Sequence, residues 1–182
     1  SCRPGQNFDG VSAPNLPAGW QTEIARGATG DVGWVTSTID KNTSPNSAFV
    51  ADYDHRTNIS LVSMPIAITR ATATLSFWTR YETDFRNDGG VLEISIDGGG
   101  FEDILSAGGS FTAGGYNDTI NLLFSTSTIA GRKAWTGNGS GPVQVNLPAA
   151  AAGKTIVLRW RIGTNDSKGG NGWLIDTVLI DP

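Results

Sequence analysis

Cysteine, histidine and methionine are nearly absent from this chain, which has one residue of each among 182. The single cysteine, Cys2, cannot form an internal disulfide, so it is either free or paired with a part of a longer protein. One histidine excludes a histidine-rich zinc site, and one cysteine excludes a cysteine-based zinc site. A Ser-His-Asp triad would have to use His55, but no nucleophile elbow accompanies it, so we interpret His55 as a loop residue.

Charged residues and long apolar runs are also scarce. Charged residues make up 16% of the chain, and the net charge at pH 7 is −4. Because there is no basic patch, a nucleic-acid partner is not expected, whereas the excess of carboxylates leaves acidic groups available to a cation. No apolar segment is long enough to span a membrane, so we expect no membrane insertion.

The chain is instead rich in glycine, with 24 residues, and in short runs where apolar and polar side chains alternate. Alternate side chains of a strand share one face, so Leu92 and Ile94 would lie opposite Glu93. The alternation predicts strands over 73–81, 91–97 and 155–163, and an apolar run with apolar residues on both faces predicts another over 172–180. Strands at this spacing, separated by turn residues, predict an all-β protein: a two-sheet antiparallel jelly-roll sandwich, with residues 1–182 as one domain.

The glycine-rich segment 108–141 has the composition of long loops, which is where binding residues usually lie on a rigid scaffold. Trp135 is the best candidate in this segment for an exposed aromatic ring, with Tyr116 as a neighbour, and such rings could stack on a sugar. We favour the other interpretation, in which Trp135 anchors a loop to the sheet, since burial of a large ring is strongly stabilising. Trp160 and Trp173 alternate with core residues and are therefore assigned to the core.

One charged residue, Asp176, interrupts the apolar run 172–180 and shares its strand face with Leu174, Val178 and Ile180. A buried carboxylate without partners is costly, so this side chain needs donors or a cation. Four interpretations remain open from the sequence. The carboxylate accepts backbone N–H groups, pairs with an arginine, lies at a solvated rim of the sheet, or binds a metal ion.

Several motifs occur in an order typical of a known family, namely NFDG, AFVADYDHRTNISLVS, LSFWTRY and GWLIDTVLI. This order resembles MAM-type, concanavalin-like domains and their bacterial jelly-roll relatives, which are appended to secreted proteases and surface proteins. The paired cysteines of animal MAM domains are missing, so only the scaffold is taken from the resemblance. We expect a domain excised from a longer exported protein and located outside the cell, either secreted or at the cell surface.

The resemblance also implies a structural cation held between the N-terminal strand, an Asp-bearing loop and the last strand. In this sequence the matching positions are Asp9, Asp52, Asp54 and Asp176. Calcium fits this set, because it takes several oxygen ligands from carboxylates, carbonyls and water. The alternative is that the Asp-rich loop is only a solvated turn.

A pair of carboxylates is the strongest sequence hint of catalysis. Glu93 and Asp97 lie four apart on one predicted strand face, where they would in principle serve a glycoside hydrolase as acid and nucleophile. Strand geometry separates their Cα atoms by roughly 13 Å, which is long for that chemistry. Asp97 instead fits a hairpin turn, where its side chain would bond the turn backbone.

The sequence therefore predicts a non-catalytic accessory binding or adhesion domain of a secreted or surface protein, with a structural calcium ion. The expected partner is an extracellular glycan or protein surface, together with the remainder of a multidomain parent chain. A carbohydrate-binding module is the first alternative, and a glycoside hydrolase-like enzyme is the second.

Overall fold

The computed structural model describes residues 4–182, so Cys2 lies outside the described residues. Within that range the chain forms strands and one short 3-10 helix, Ala149–Ala151. The strands are β1 (Gly5–Gln6), β2 (Gln21–Arg26), β3 (Val35–Ser37), β4 (Ser47–Val50), β5 (Asn58–Val62), β6 (Ile66–Ala67), β7 (Thr74–Glu82), β8 (Gly89–Ile96), β9 (Glu102–Asp103), β10 (Ser110–Ala113), β11 (Asp118–Thr119), β12 (Lys133–Ala134), β13 (Asn138–Asn146), β14 (Thr155–Gly163) and β15 (Gly172–Asp181).

Two antiparallel sheets face each other and confirm the predicted all-β sandwich. The first sheet has the order β10-β13-β7-β15-β4-β3, with β1 beside β15, and the second has the order β2-β5-β14-β8-β9, with β6 beside β14. The four predicted strands correspond to β7, β8, β14 and β15, which lie inside these sheets. Among residues 4–182, no helix has the length and apolar character needed to cross a membrane.

The core lies between the sheets and is built from the alternating positions. In β14, the side chains of Ile156, Leu158, Trp160 and Ile162 are buried, as the period of two predicts. The Trp160 ring stacks on Trp20 at a centroid distance of 5.8 Å and meets the Phe77 ring edge-on at 5.6 Å. These contacts join strands of both sheets and make the scaffold rigid beneath its loops.

One end of the sandwich collects five connecting segments, which we call the loop end. They are 27–34, 51–57, 83–88, 114–137 and 164–171. The strand registers place them together. Gly163 lies opposite both Asn58 and Gly89, while Gly172 lies opposite Glu82 at the end of β7. Both sheets therefore contribute loops to one surface.

Candidate functional site

Asp176 is fully buried in β15, and backbone donors satisfy its carboxylate. The Asn42 and Thr43 N–H groups donate to Oδ2 at 2.8 and 2.7 Å, and the Thr177 N–H donates to Oδ1 at 2.6 Å. The pairing of β15 with β7 shifts register just after Asp176, and Thr177 has a φ of 51°. This local bulge lets the strand supply a donor to its own side chain. The first of the four interpretations therefore describes Asp176.

The four carboxylates of the expected cation site do not meet. Asp9 accepts the Asn46 N–H at 2.8 Å, so it lies near Asp176 at the start of β4. Asp52 follows the other end of β4. It is six residues after Asn46, which corresponds to roughly 20 Å of extended chain. The Asp54 side chain is 85% exposed and pairs with His55 at 3.2 Å. Among residues 4–182, no group of three or more His, Cys, Asp or Glu is arranged around a metal position.

Trp135 is buried, so it is not the exposed sugar-stacking ring that the sequence offered as a candidate. Its side chain is 1% exposed, and its ring contacts the rings of Phe77, Phe111, Tyr116 and Trp173 at centroid distances of 4.8–5.9 Å. Its indole N–H donates to the Gly114 carbonyl at 2.8 Å, which fixes segment 114–137 to the sheet. This is the geometry of the loop-anchor alternative, and the buried ring offers no face to a sugar.

Tyr116 completes the same anchor. Its hydroxyl accepts the Leu92 N–H at 2.9 Å and lies 3.0 Å from an oxygen of Asp103. The hydroxyl thereby ties the long segment to β8 and to β9 of the second sheet. Tyr116 is thus held by Leu92 and Asp103, and its polar tip is engaged with protein atoms.

Glu93 lies in an arginine cluster on the outer side of the second sheet. Arg132 donates to its Oε1 at 2.6 Å, Arg161 donates to the same oxygen at 3.2 Å, and Arg159 donates to Oε2 at 2.6 Å. Burial alone would raise the pKa of Glu93, but the bond from Arg132 and the charges of all three arginines lower it below its usual value. A carboxylate held in the charged form is a poor general acid.

Asp97, the other member of the suggested catalytic pair, is a turn residue. Its φ is 50°, and its carboxylate accepts the Thr155 N–H at 3.0 Å. Asp is one of the residues that tolerate this left-handed backbone conformation in tight turns. The hairpin interpretation is right about the position of Asp97 in a turn, but its carboxylate bonds Thr155 of β14 instead of the turn backbone. Both carboxylates of the pair therefore have structural partners.

His55 joins two segments of the loop end. Its Nε2 lies 2.9 Å from Asp31 in segment 27–34, and its Nδ1 lies 3.2 Å from the neighbouring Asp54. Hydrogen bonds to Asp31 and Asp54 raise the pKa of His55 above its usual value, against a smaller opposing effect of desolvation. His55 is thus a loop residue, as interpreted from the sequence, and it makes a pH-sensitive contact.

Asp88 is a buried carboxylate that the sequence reasoning missed, and it interacts with Asp52. Burial, followed by the charge of Asp52, raises the pKa of Asp88 to about 8. Burial likewise raises the pKa of Asp52 to about 6, although N–H groups of Gly170 and Asp84 donate to it. In the sequence, Asp88 precedes two glycines between predicted strands and reads as an ordinary turn residue.

Three consecutive apolar side chains project from segment 114–137, and we call them the apolar tip. Leu122, Leu123 and Phe124 are 71%, 84% and 83% exposed. The flanking backbone is held on both sides. The Asn121 N–H donates to the Arg86 carbonyl at 2.8 Å, and the Ser125 hydroxyl donates to the Asn87 carbonyl at 2.8 Å. The sequence reasoning did not single out this run, whose only signal is three apolar residues within a polar loop.

Comparisons with known proteins found no matching family model and no matching curated protein. Solved structures do match. The K2 cleaved adhesin domain of Lys-gingipain aligns with 98% of this chain and 97% of its own, at 18% identity and a TM-score of 0.62. The K1 cleaved adhesin domain of Lys-gingipain from Porphyromonas gingivalis W83 aligns with 100% of this chain and 98% of its own, at 18% identity and a TM-score of 0.55.

A third similar structure is TmCBM61, solved in complex with beta-1,4-galactotriose. It aligns with 90% of this chain and 88% of its own, at 10% identity and a TM-score of 0.50. At these identities the likeness concerns the fold alone, which is a β-sandwich of the jelly-roll type. The MAM-like label stays a resemblance, because these structures are described as adhesin and carbohydrate-binding domains.

Proposed function

We propose that this chain is a non-catalytic binding domain of a secreted or cell-surface protein, and that it contacts a partner protein through the loop end. The apolar tip carries this proposal. Exposed side chains of Leu122, Leu123 and Phe124 are costly to display in water, and a run of this kind usually marks an interaction site. Its placement on a long loop above a rigid sandwich is typical of binding surfaces.

The partners of the carboxylates support a binding role over an enzymatic one. Glu93 is held by three arginines and Asp97 accepts the Thr155 N–H of β14, so both carboxylates are engaged in structural contacts. His55 is engaged with Asp31 and Asp54. Two of the similar structures, the K1 and K2 domains, are described as adhesin domains, which agrees with a binding role.

Carbohydrate binding is the second candidate function, and two observations favour it. TmCBM61 has a similar fold and was solved with a galactose trisaccharide. Phe124 and Phe85 are exposed aromatic rings at the loop end, at 83% and 55%, and aromatic faces can stack on sugars. Glycan binding would then use these two rings rather than Trp135.

The experiment exposes the purified domain to immobilised extracellular-matrix proteins and, separately, to a glycan array. A double variant, Leu123→Ser with Phe124→Ser, removes most of the apolar tip. Ile39→Ser is the matched control, because Ile39 is 93% exposed on the connection between β3 and β4, outside the five segments of the loop end. Retention on a matrix protein that is lost only in the double variant supports the first function. Selective glycan retention supports the second, and no retention on either surface contradicts both.

A further inference from the structure

The carboxylates of Asp52 and Asp88 are both buried, and each has one bonded oxygen and one bare oxygen. Asp52 Oδ2 accepts N–H groups from Gly170 at 2.6 Å and Asp84 at 3.2 Å, and Asp88 Oδ1 accepts the Asn165 N–H at 2.6 Å. The other oxygens, Asp52 Oδ1 and Asp88 Oδ2, are inaccessible to solvent and accept no N–H or hydroxyl hydrogen bond among the described residues. Backbone donors thus fix each carboxylate from one side and leave the second oxygen of each without a donor.

Asp176 provides an internal comparison, because it is equally buried but has donors on both of its oxygens. The backbone of this fold can therefore supply hydrogen-bond donors to both oxygens of a buried carboxylate that has a structural role. A buried carboxylate oxygen without a donor loses its hydration, and no hydrogen bond compensates for the desolvation free energy. Two such oxygens on interacting side chains indicate that something absent from the polypeptide completes the pair.

The local charge limits what that completing group can be. The charge of Asp84 raises the pKa of both Asp52 and Asp88, and the charge of Asp52 raises the pKa of Asp88 further. A side-chain hydrogen bond between Asp52 and Asp88 lowers the pKa of Asp52 and raises that of Asp88, so the two carboxyl groups do not both ionise freely. Two solutions remove the conflict. A proton shared between Asp52 and Asp88 would neutralise one charge, and a divalent cation would neutralise both while accepting both bare oxygens as ligands.

We propose that Asp52 and Asp88 hold a calcium ion between their bare oxygens, with Asp84 adding negative charge beside it. Calcium takes six to eight oxygen ligands and accepts carbonyls and water alongside carboxylates. Two carboxylates would therefore supply part of its coordination, and carbonyls and water would supply the rest. The site joins segments 51–57, 83–88 and 164–171, because Asn165 and Gly170 donate to the same two carboxylates. The ion therefore ties together three of the five segments of the loop end.

The test adds calcium chloride alone to metal-stripped protein and follows the melting temperature and the heat of binding by titration calorimetry. A ligand that binds only the folded state raises the melting temperature by mass action, here by about 5–10 °C at a hundredfold excess over the dissociation constant. Binding is expected to be weaker at pH 5.5 than at pH 8, because protons compete with the cation for the same oxygens.

Three variants assign the effect to this site. Asp88→Asn is expected to abolish the calcium response, and its amide can donate to the bare oxygen of Asp52, which imitates the shared proton and favours folding. Asp84→Asn removes a neighbouring charge without removing either ligand, and is expected to weaken binding several-fold. Asp54→Asn is the matched control, since Asp54 lies in the same segment but is exposed, and it should keep the full response.

Either of two results overturns the proposal. The first is a wild-type protein that shows no binding heat and no change in melting temperature up to about 10 mM calcium, roughly tenfold above the weakest dissociation constants of protein calcium sites, which are about 1 mM. That result leaves the shared proton as the completing group. The second is a calcium response that persists in Asp88→Asn and in Asp84→Asn at the wild-type affinity, because the ion would then bind elsewhere.

Discussion

Replacing Asp176 with Asn tests whether this buried carboxylate is a structural acceptor or a metal ligand. The change keeps the shape of the side chain but removes its charge and turns one acceptor oxygen into an NH₂ donor. In the wild-type protein, the Asp176 carboxylate accepts three backbone N–H groups, from Asn42, Thr43 and Thr177. The amide can retain at most the two donors at one oxygen, and its nitrogen must then face the third N–H.

The expected loss in the free energy of unfolding is about 2–3 kcal/mol, from one lost bond, one opposed pair of donors and weaker bonds at the remaining oxygen. Urea unfolding at 25 °C and pH 7 measures it, provided that the slope with denaturant is unchanged. Asp97→Asn is the control, because Asp97 accepts one N–H at an exposed hairpin and Asn tolerates its positive φ. It should cost less than about 0.5 kcal/mol.

The loss in the free energy of unfolding caused by Asp176→Asn is expected to be the same in calcium and in a chelator, because backbone donors rather than a cation satisfy Asp176. A loss that occurs only when calcium is present would refute this reasoning and make Asp176 a metal ligand. A loss smaller than that of Asp97→Asn would show that water replaces the carboxylate as the acceptor of the three N–H groups at little cost in stability.

Two further predictions concern the loop end. Trp135→Ala should lower the free energy of unfolding by about 3–5 kcal/mol in thermal or urea unfolding, because the ring is buried against four others; a neutral result would contradict the anchor. The pKa of His55 is raised in the folded state, so its stabilising contact with Asp31 is fully present below the unfolded pKa of about 6.5 and is lost as the pH rises through the folded value. The stability difference between wild type and His55→Gln should therefore shrink from pH 6 to pH 9, and a difference that grows would contradict the assigned contact.

The strands were predictable because their signal is local. In β7 and β14, buried residues alternate with more exposed ones, and this period can be read from a few consecutive positions. The β8 and β15 strands are buried along most of their length, and their signals are the alternating and apolar runs of the sequence itself. The same rule placed Asp176 on a buried face. It could not identify the donors, because Asn42 and Thr43 are more than 130 residues away in the chain.

The loop end was less predictable for the same reason. Trp135 lies in a glycine-rich segment without any period, and its burial depends on rings from β7 and β15. Asp88 pairs with Asp52 only because the strand order brings segments 51–57 and 83–88 to one end of the sandwich. The resemblance gathered four aspartates into one cation site, but Asp9 contacts Asn46 just before β4, whereas Asp52 follows the other end of that strand.

The affinity of the apolar tip for an immobilised partner tests the central claim most directly. Biolayer interferometry would compare wild type, the Leu123→Ser and Phe124→Ser double variant, and Ile39→Ser on the matrix protein or glycan that retains the wild-type domain. We expect the double variant to bind at least about tenfold more weakly, equivalent to about 1.4 kcal/mol, and Ile39→Ser to bind like wild type. Equal binding by all three proteins, with unchanged melting temperatures, would contradict the claim that the loop end is the contact surface.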